Sequence, residues 1–188
     1  MIMNIINNYT LFILYLLAIV ISEKRYIFFL PTIPIYPNNY CDTKKVSNMI
    51  NERTMDDISF FELTDPSVSH AFANIVPYSI YELDSMITEL HVKSIIIFFK
   101  YSINRARPKQ IDESLDVLES TTAHTPAFPA GHAFQAYYLA KILGREMPDK
   151  QFILDETAKM CDLCRIKAGL HYPSDGIFSK HLVDFFFK

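Results

Sequence analysis

Apolar residues return every three or four positions along most of this chain. Val46, Met49 and Ile50, then Met55, Ile58 and Phe61, do so across residues 44–63, which predicts a helix. Asp65 before Pro66 has the form of an N-cap with proline at the first helical position, opening a short helix to about residue 74. Pro77 and Ser79 open another, to about residue 90. Residues 94–103 are apolar nearly all round, the pattern of a central helix. Residues 109–128 read as a polar loop, and 130–145 as a second central helix carrying Phe134, Tyr137, Leu139 and Ile142. Pro148 opens a helix to about residue 168, with Phe152, Ile153, Leu154, Ala158, Met160 and Leu163 as its apolar positions. Pro173 opens the last, to about residue 187, docking through Ile177, Phe178, Leu182, Val183 and Phe186. The expected fold is an all-α helical bundle in which three central helices form one pocket.

The start of the chain is different. Residues 11–21 are an unbroken apolar run of eleven, shorter than the roughly 20 needed to span a bilayer. The run suits the apolar region of a signal peptide, with residues 1–22 removed. No Lys or Arg precedes it and Lys24-Arg25 follow it, a charge pattern unlike a signal peptide's that would also serve an uncleaved anchor. A buried helix is the third reading. The expectation is a secreted, luminal or membrane-anchored protein, with any membrane association made through residues 11–21. Pro31, Pro34 and Pro37 mark residues 23–43 as an extended segment, leaving residues 44–188 as the single catalytic-sized domain.

Composition narrows the picture a little. Half of the 188 residues are hydrophobic and only 4 are glycine, which favours helices over many short strands. The net charge is −3, so there is no basic footprint for nucleic acid. Cys41, Cys161 and Cys164 are an odd count, and no second C-x2-C or His pair completes a zinc set. Cys161 and Cys164 read as small packed residues late in a helix, with a redox pair or a disulfide as the alternative.

Three stretches carry the candidate chemistry. Arg165, His171 and Asp175 stand at R-x5-H-x3-D spacing. Asp175 is placed to hold a proton on one ring nitrogen of His171, leaving the other as a nucleophile. Pro173 suits a first helical turn, so His171 lies at a helix mouth, a position that favours anions. Arg165 adds a planar donor fork suited to phosphate. Lys100 and Arg107 are seven apart and Pro108 follows, so on a helix both cations face one way, about 10.5 Å apart along the axis. Lys100 lies in an apolar run, where an unpaired ammonium is costly to bury and a bound anion removes the cost. Arg105, between them, reads as outward and structural. In Phe128-Pro129-Ala130-Gly131-His132, Gly131 allows backbone N–H groups to approach a ligand, and His132 opens an apolar helix. His70 reads as a histidine outside the site, and His124 as a loop histidine, with a place at the pocket rim as the alternative.

The order K-x6-R-P, P-A-G-H, R-x5-H-x3-D resembles the type 2 phosphatidic acid phosphatase superfamily, which includes class A acid phosphatases and vanadium-dependent haloperoxidases. The motifs run from Lys100 to Asp175, under half of the chain. The resemblance implies a helical fold of that type and a phosphatase that needs no metal, acting on phosphomonoesters or lipid phosphates. It implies that His171 attacks phosphorus, Asp175 orients it, and His132 protonates the leaving group. Lys100, Arg107, Arg165, Gly131 and the Ala130 position would hold the phosphate. The family's usual Ser in P-S-G-H is Ala130 here, and the Ser usually preceding the third-motif Arg is Cys164. No cofactor is implied. Vanadate would act as an inhibitor, or as the cofactor if the chain were a haloperoxidase. Thr125 stands where haloperoxidases typically carry Phe or His, seven residues before His132, and favours the phosphatase. A non-enzymatic phosphate-binding helical protein is the remaining alternative.

Overall fold

A computed structural model describes residues 37–188. Among the described residues the secondary structure is helical throughout, with no strand, as the hydrophobic pattern predicts. The chain forms α1 (Asn39–Asn51), α2 (Met55–Thr64), a four-residue α3 (Ser69–Phe72), α4 (Ile80–Ile87), α5 (Leu90–Ile103), a short α6 (Pro108–Ile111), α7 (Gly131–Glu146), α8 (Gln151–Lys167) and α9 (Pro173–Phe186).

Local chemistry explains most boundaries, including those that periodicity alone misses. The Asn38 side chain accepts the Tyr40 N–H at 2.9 Å, so α1 starts at Asn39 and residues 39–43 are helical, not extended. The single helix expected over 44–63 is two. Thr54 and Asp57 form a reciprocal capping box that starts α2 afresh. The three-four rhythm runs through that break, which is why it hides the break. Asp65 does not cap a new helix; it ends α2, and α3 begins at Ser69. Ser79 is an N-cap as expected, completed by Glu82. The helix it opens ends at Ile87, and α5 starts at Leu90.

α7 and α8 form the centre. A 3-10 turn, Pro148–Lys150, reverses the chain between them, and α9 packs onto α7. Phe134, Leu139 and Leu143 of α7 meet Leu154 and Ala158 of α8 and Val183 of α9. Val68, Phe72, Leu83, Ile87, Val92 and Ile95 extend this core beneath α3, α4 and α5. Two smaller apolar clusters flank the other end, one around Val46, Ile166 and Tyr172 and one around Phe61, Cys164 and Leu170. Some expected docking positions face outward instead: Phe152 is 77% exposed and Ile177 is 58% exposed, while Met160 and Leu163 are also exposed. Cys161 and Cys164 are buried free thiols of α8.

Among the described residues no helix is long and apolar enough to cross a membrane. Residues 11–21, and residues 23–36 of the segment expected to be extended over 23–43, lie outside the described residues. The secreted, luminal or anchored localisation read from residues 11–21 is corrected accordingly: no described element supports it.

Candidate active site

Two left-handed turns bring the motifs together. At the end of α8, the Gly169 N–H donates to the Ile166 carbonyl at 2.9 Å and the Leu170 N–H to the Arg165 carbonyl at 3.0 Å. This Schellman pattern requires a positive φ, and Gly169 has φ 81°. A Cβ there would also lie 2.7 Å from Val117 Cγ2. The turn folds Leu170 and His171 back beside Arg165. At the end of α5, Asn104 (φ 53°, ψ 47°) breaks the helix three residues before Arg107. Arg107 is therefore in extended backbone as the N-cap of α6, not two turns along the Lys100 helix. The expected outcome, convergence of the two cations, is reached by a different route.

Lys100 is only 6% exposed, and its Nζ donates to the Pro126 carbonyl at 2.5 Å. Burial, then the Arg107 cation, lowers the ammonium well below its ordinary range, with Asp175 opposing and Arg165 adding. Arg107 donates from Nε to the Thr125 carbonyl and from Nη1 to the Leu170 carbonyl, both at 2.8 Å. Its Nη1 also lies 3.5 Å from His171 Nε2. Arg107 thus ties the loop before motif two to the residue before His171.

His171 precedes α9, whose N-cap is Tyr172, so the helix mouth is where the sequence puts it. The side chain is nevertheless buried, not open to solvent. Nδ1 lies 3.5 Å from Asp175 Oδ2, and no hydrogen bond satisfies it. Burial, then Arg107, Lys100, Arg165 and His132 in turn, hold the imidazole neutral, well below its ordinary pKa. A neutral ring with Nε2 beside a guanidinium has its lone pair there and its proton on Nδ1, toward the carboxylate.

Asp175 is the N3 residue of α9. Its Oδ2 accepts the Tyr172 N–H at 2.9 Å, and its Oδ1 accepts from Arg105 Nη1 at 2.5 Å. Burial pushes its carboxyl up to about 6, against the pull of Arg105 and the Tyr172 N–H. Arg105 is the residue misread from sequence. It is 0% exposed, because α5 has already ended and helical periodicity no longer says where position 105 points.

Ala130 is the N-cap of α7 and makes no side-chain cap bond. Its carbonyl accepts from Ser179 Oγ at 2.9 Å. Gly131 starts the helix against α5: a Cβ on it would sit 3.6 Å from Lys100 Cε. His132 Nε2 donates to the Asp65 carbonyl at 2.9 Å. Burial, then Arg165, lowers the His132 imidazole to about 3, with the Asp65 carbonyl and carboxylate opposing. His132 is therefore neutral in the free protein, although a leaving-group acid must carry a proton.

Arg165 brings in the other residue that sequence reading missed. Its Nη1 donates to Asp65 Oδ1 at 2.7 Å, and its Nη2 lies 3.3 Å from Ser120 Oγ and 3.1 Å from Thr122 Oγ1. Asp65 also accepts from Ser120 Oγ at 2.5 Å and the Thr121 N–H at 2.9 Å. Burial raises this carboxyl, but the Ser120 bond and Arg165 outweigh it and hold Asp65 well below the usual carboxylate range. Arg165 Nε is buried with no hydrogen-bond partner. An Asp before a Pro looks the same whether it starts a helix or ends one, so no local signal marks Asp65 as the partner of Arg165.

The structure therefore draws Lys100, Arg107, Arg165, Gly131, His132, His171 and Asp175 to one end of α7, with Ala130 beside them. Lys100 and two guanidiniums surround two imidazoles held below their ordinary pKa. No family model matches this chain, and no curated protein matches it.

Proposed function

We propose that the chain is a phosphatase of the type 2 phosphatidic acid phosphatase superfamily. It hydrolyses phosphomonoesters, lipid phosphates included in that class, without a metal and through a phosphohistidine. The observation that carries this reading is the placement of a neutral His171 between Asp175 on Nδ1 and the cation Arg107 on Nε2, with Lys100 and Arg165 within electrostatic reach. Phosphoryl transfer is mostly positioning and charge stabilisation, and three cations around a nucleophile supply both. The order of the three motifs along the chain supports the same reading.

The His171 Nε2 lone pair forms the N–P bond as the ester P–O bond breaks, and His132 places a proton on the leaving oxygen. Water then adds to phosphorus and gives its proton to His132, the N–P bond breaks, and phosphate leaves as its monoanion, taking that proton and returning His132 to its neutral form. His132 is neutral before substrate arrives, so the first proton enters with the phosphomonoester monoanion. Its Nε2–H is committed to Asp65, which leaves Nδ1 to exchange that proton. Burial, then Arg165 and to a smaller extent Lys100, hold the His132 pKa down in the free protein, and the negative charge of the bound ester offsets the two cations. Arg165 keeps its bond to Asp65 and offers Nε to the anion.

The test is a panel of phosphomonoesters and lipid phosphates assayed with EDTA present. Phosphate release insensitive to EDTA, with acid-labile label trapped on His171 during turnover, is the expected result. Label on any other residue would overturn the mechanism. Bromide oxidation by peroxide and vanadate without phosphate release would instead assign the pocket to haloperoxidase chemistry.

A further inference from the structure

The candidate nucleophile is held by a chain of charge that reaches well beyond the three motifs. Asp175 is fully buried, and the carboxylate oxygen that does not face His171 accepts from Arg105 Nη1. The same guanidinium donates from Nη2 to Asp42 Oδ2 at 3.0 Å, from Nη1 to Ser174 Oγ at 2.7 Å, and from Nε to Asn39 Oδ1 at 3.0 Å. Ser174 Oγ in turn donates to Asp42 Oδ2 at 2.6 Å. The Tyr172 ring covers the guanidinium at 3.8 Å, and Phe128 lies 6.0 Å away. A planar fork with five donors is the side chain that can meet two carboxylates, a hydroxyl and an amide at once.

We propose that Arg105, anchored by Asp42 and Asn39 of α1, is the positioning residue that keeps Asp175 ionised and turned so that Oδ2 faces His171 Nδ1. Arg105 does not face the substrate; it acts through Asp175 and thereby sets which ring nitrogen of His171 carries the proton. The proposal gives α1 a role in the site that no motif in α1 announces. It rests on the phosphatase reading for its kinetic consequence, but not for its structural one.

The groups facing Asp175 define what the test must separate. They are His171 and Tyr172 on its own segment, Arg105 and Lys100 from α5 and its following turn, and Asp162 from α8, with Asp42 behind Arg105. Among these, Arg105 is the cation in direct contact with the carboxylate. Removing it frees Asp175 to protonate at higher pH.

Arg105→Gln alone would leave Asp42 and Asp175 buried together, so the test variant is Arg105→Gln combined with Asp42→Asn. Two readouts are needed: steady-state kinetics across pH, and ring 15N shifts of labelled His171 in phosphate-free protein. Partners that orient a functional histidine change activity by about 10–100-fold when removed, and kcat should fall in that range with KM held within about twofold. The acid limb of the kcat profile should move up by about 1–3 pH units, the effect of losing an adjacent opposite charge. The His171 ring should change from one tautomer to a mixture. A folded double variant with an unshifted acid limb and an unchanged tautomer overturns the proposal. If the wild type releases no phosphate, the phosphatase reading fails, and the ring shifts alone still decide the role of Arg105. If the double variant does not fold, Arg105→Lys is measured in the same two ways. Failure of both to fold, while Asp175→Asn folds, makes Arg105 a structural anchor and also overturns it.

Discussion

Toward the Glu146 end of α7, Leu139, Leu143, Leu154 and Ala158 are fully buried among carbon. Toward its Gly131 end, Lys100, Arg105, Arg165, His171 and Asp175 are also buried and bear ionisable groups. The same helices thus hold two interiors. At the apolar end burial is itself favourable, contributing roughly 1.5–3 kcal/mol for each large side chain. At the charged end burial is costly, and each ion is kept only by partners of specific geometry. Arg105 is met by Asp42 and Asp175, Arg165 by Asp65, and Lys100 by a backbone carbonyl. The first interior supplies stability that the second consumes. The desolvated charges of such a site act through a medium that screens them weakly.

The comparison is broken most severely by substitution of His171. His171→Gln keeps a buried polar side chain of similar reach but no nucleophilic ring. Turnover should fall by at least about 10^4-fold, as for other residues that act as the nucleophile. The thermal midpoint should stay within a few degrees, because the residue lies before α9 and outside the apolar core. Retained turnover in a folded variant removes His171 from the mechanism.

Leu139→Ala makes the opposite cut. Leu139 is fully buried at the centre of the apolar interior. Its truncation should lower stability by about 2–5 kcal/mol in urea unfolding, with kcat per folded molecule unchanged. A loss of kcat at full folding would show that the two interiors do not act independently.

Acidity sharpens the contrast at the charged end. Asp175, pushed up to about 6, sets the acid limb of kcat/KM, since its protonation removes the acceptor for the His171 Nδ1 proton. The alkaline limb is not set by His132, which is lowered to about 3 and is already neutral there. It follows the second ionisation of the ester, near pH 6, because the monoanion delivers the proton. A substrate with a lower second pKa should move the alkaline limb down, leaving the acid limb in place, with about tenfold loss per pH unit beyond each limb. An alkaline limb indifferent to the substrate would place the proton on the protein instead.

The smallest expected effect is at Ala130. A serine there could accept an N–H of the first turn of α7 while its own proton reaches the anion. Vanadate inhibition should tighten by about tenfold, the lower end for a hydrogen bond to a charged group. Stability should rise by about 1 kcal/mol from the new cap. Unchanged inhibition with raised stability would show that the position caps the helix without facing the ligand.

How much of this was legible in the chain depends on the range of the interaction. Helix identity and most starts are local: Ser79 and Glu82 cap each other, Pro173 sits in a first turn, and the apolar rhythm of residues 134–143 can face only one way. Those features, and the all-helical class, were determined by sequence alone. The spacing of Lys100, Arg107, His132, Arg165, His171 and Asp175 was legible too, but not the turns at Asn104 and Gly169 that bring them together. The partners were decided only by tertiary structure. Asp42 meets Arg105 across 63 positions and Asp65 meets Arg165 across 100. A carboxylate in sequence carries no mark of which distant cation it will neutralise. That choice is made when packing removes water from both, and the desolvation cost then favours the arrangement in which these two guanidiniums meet carboxylates.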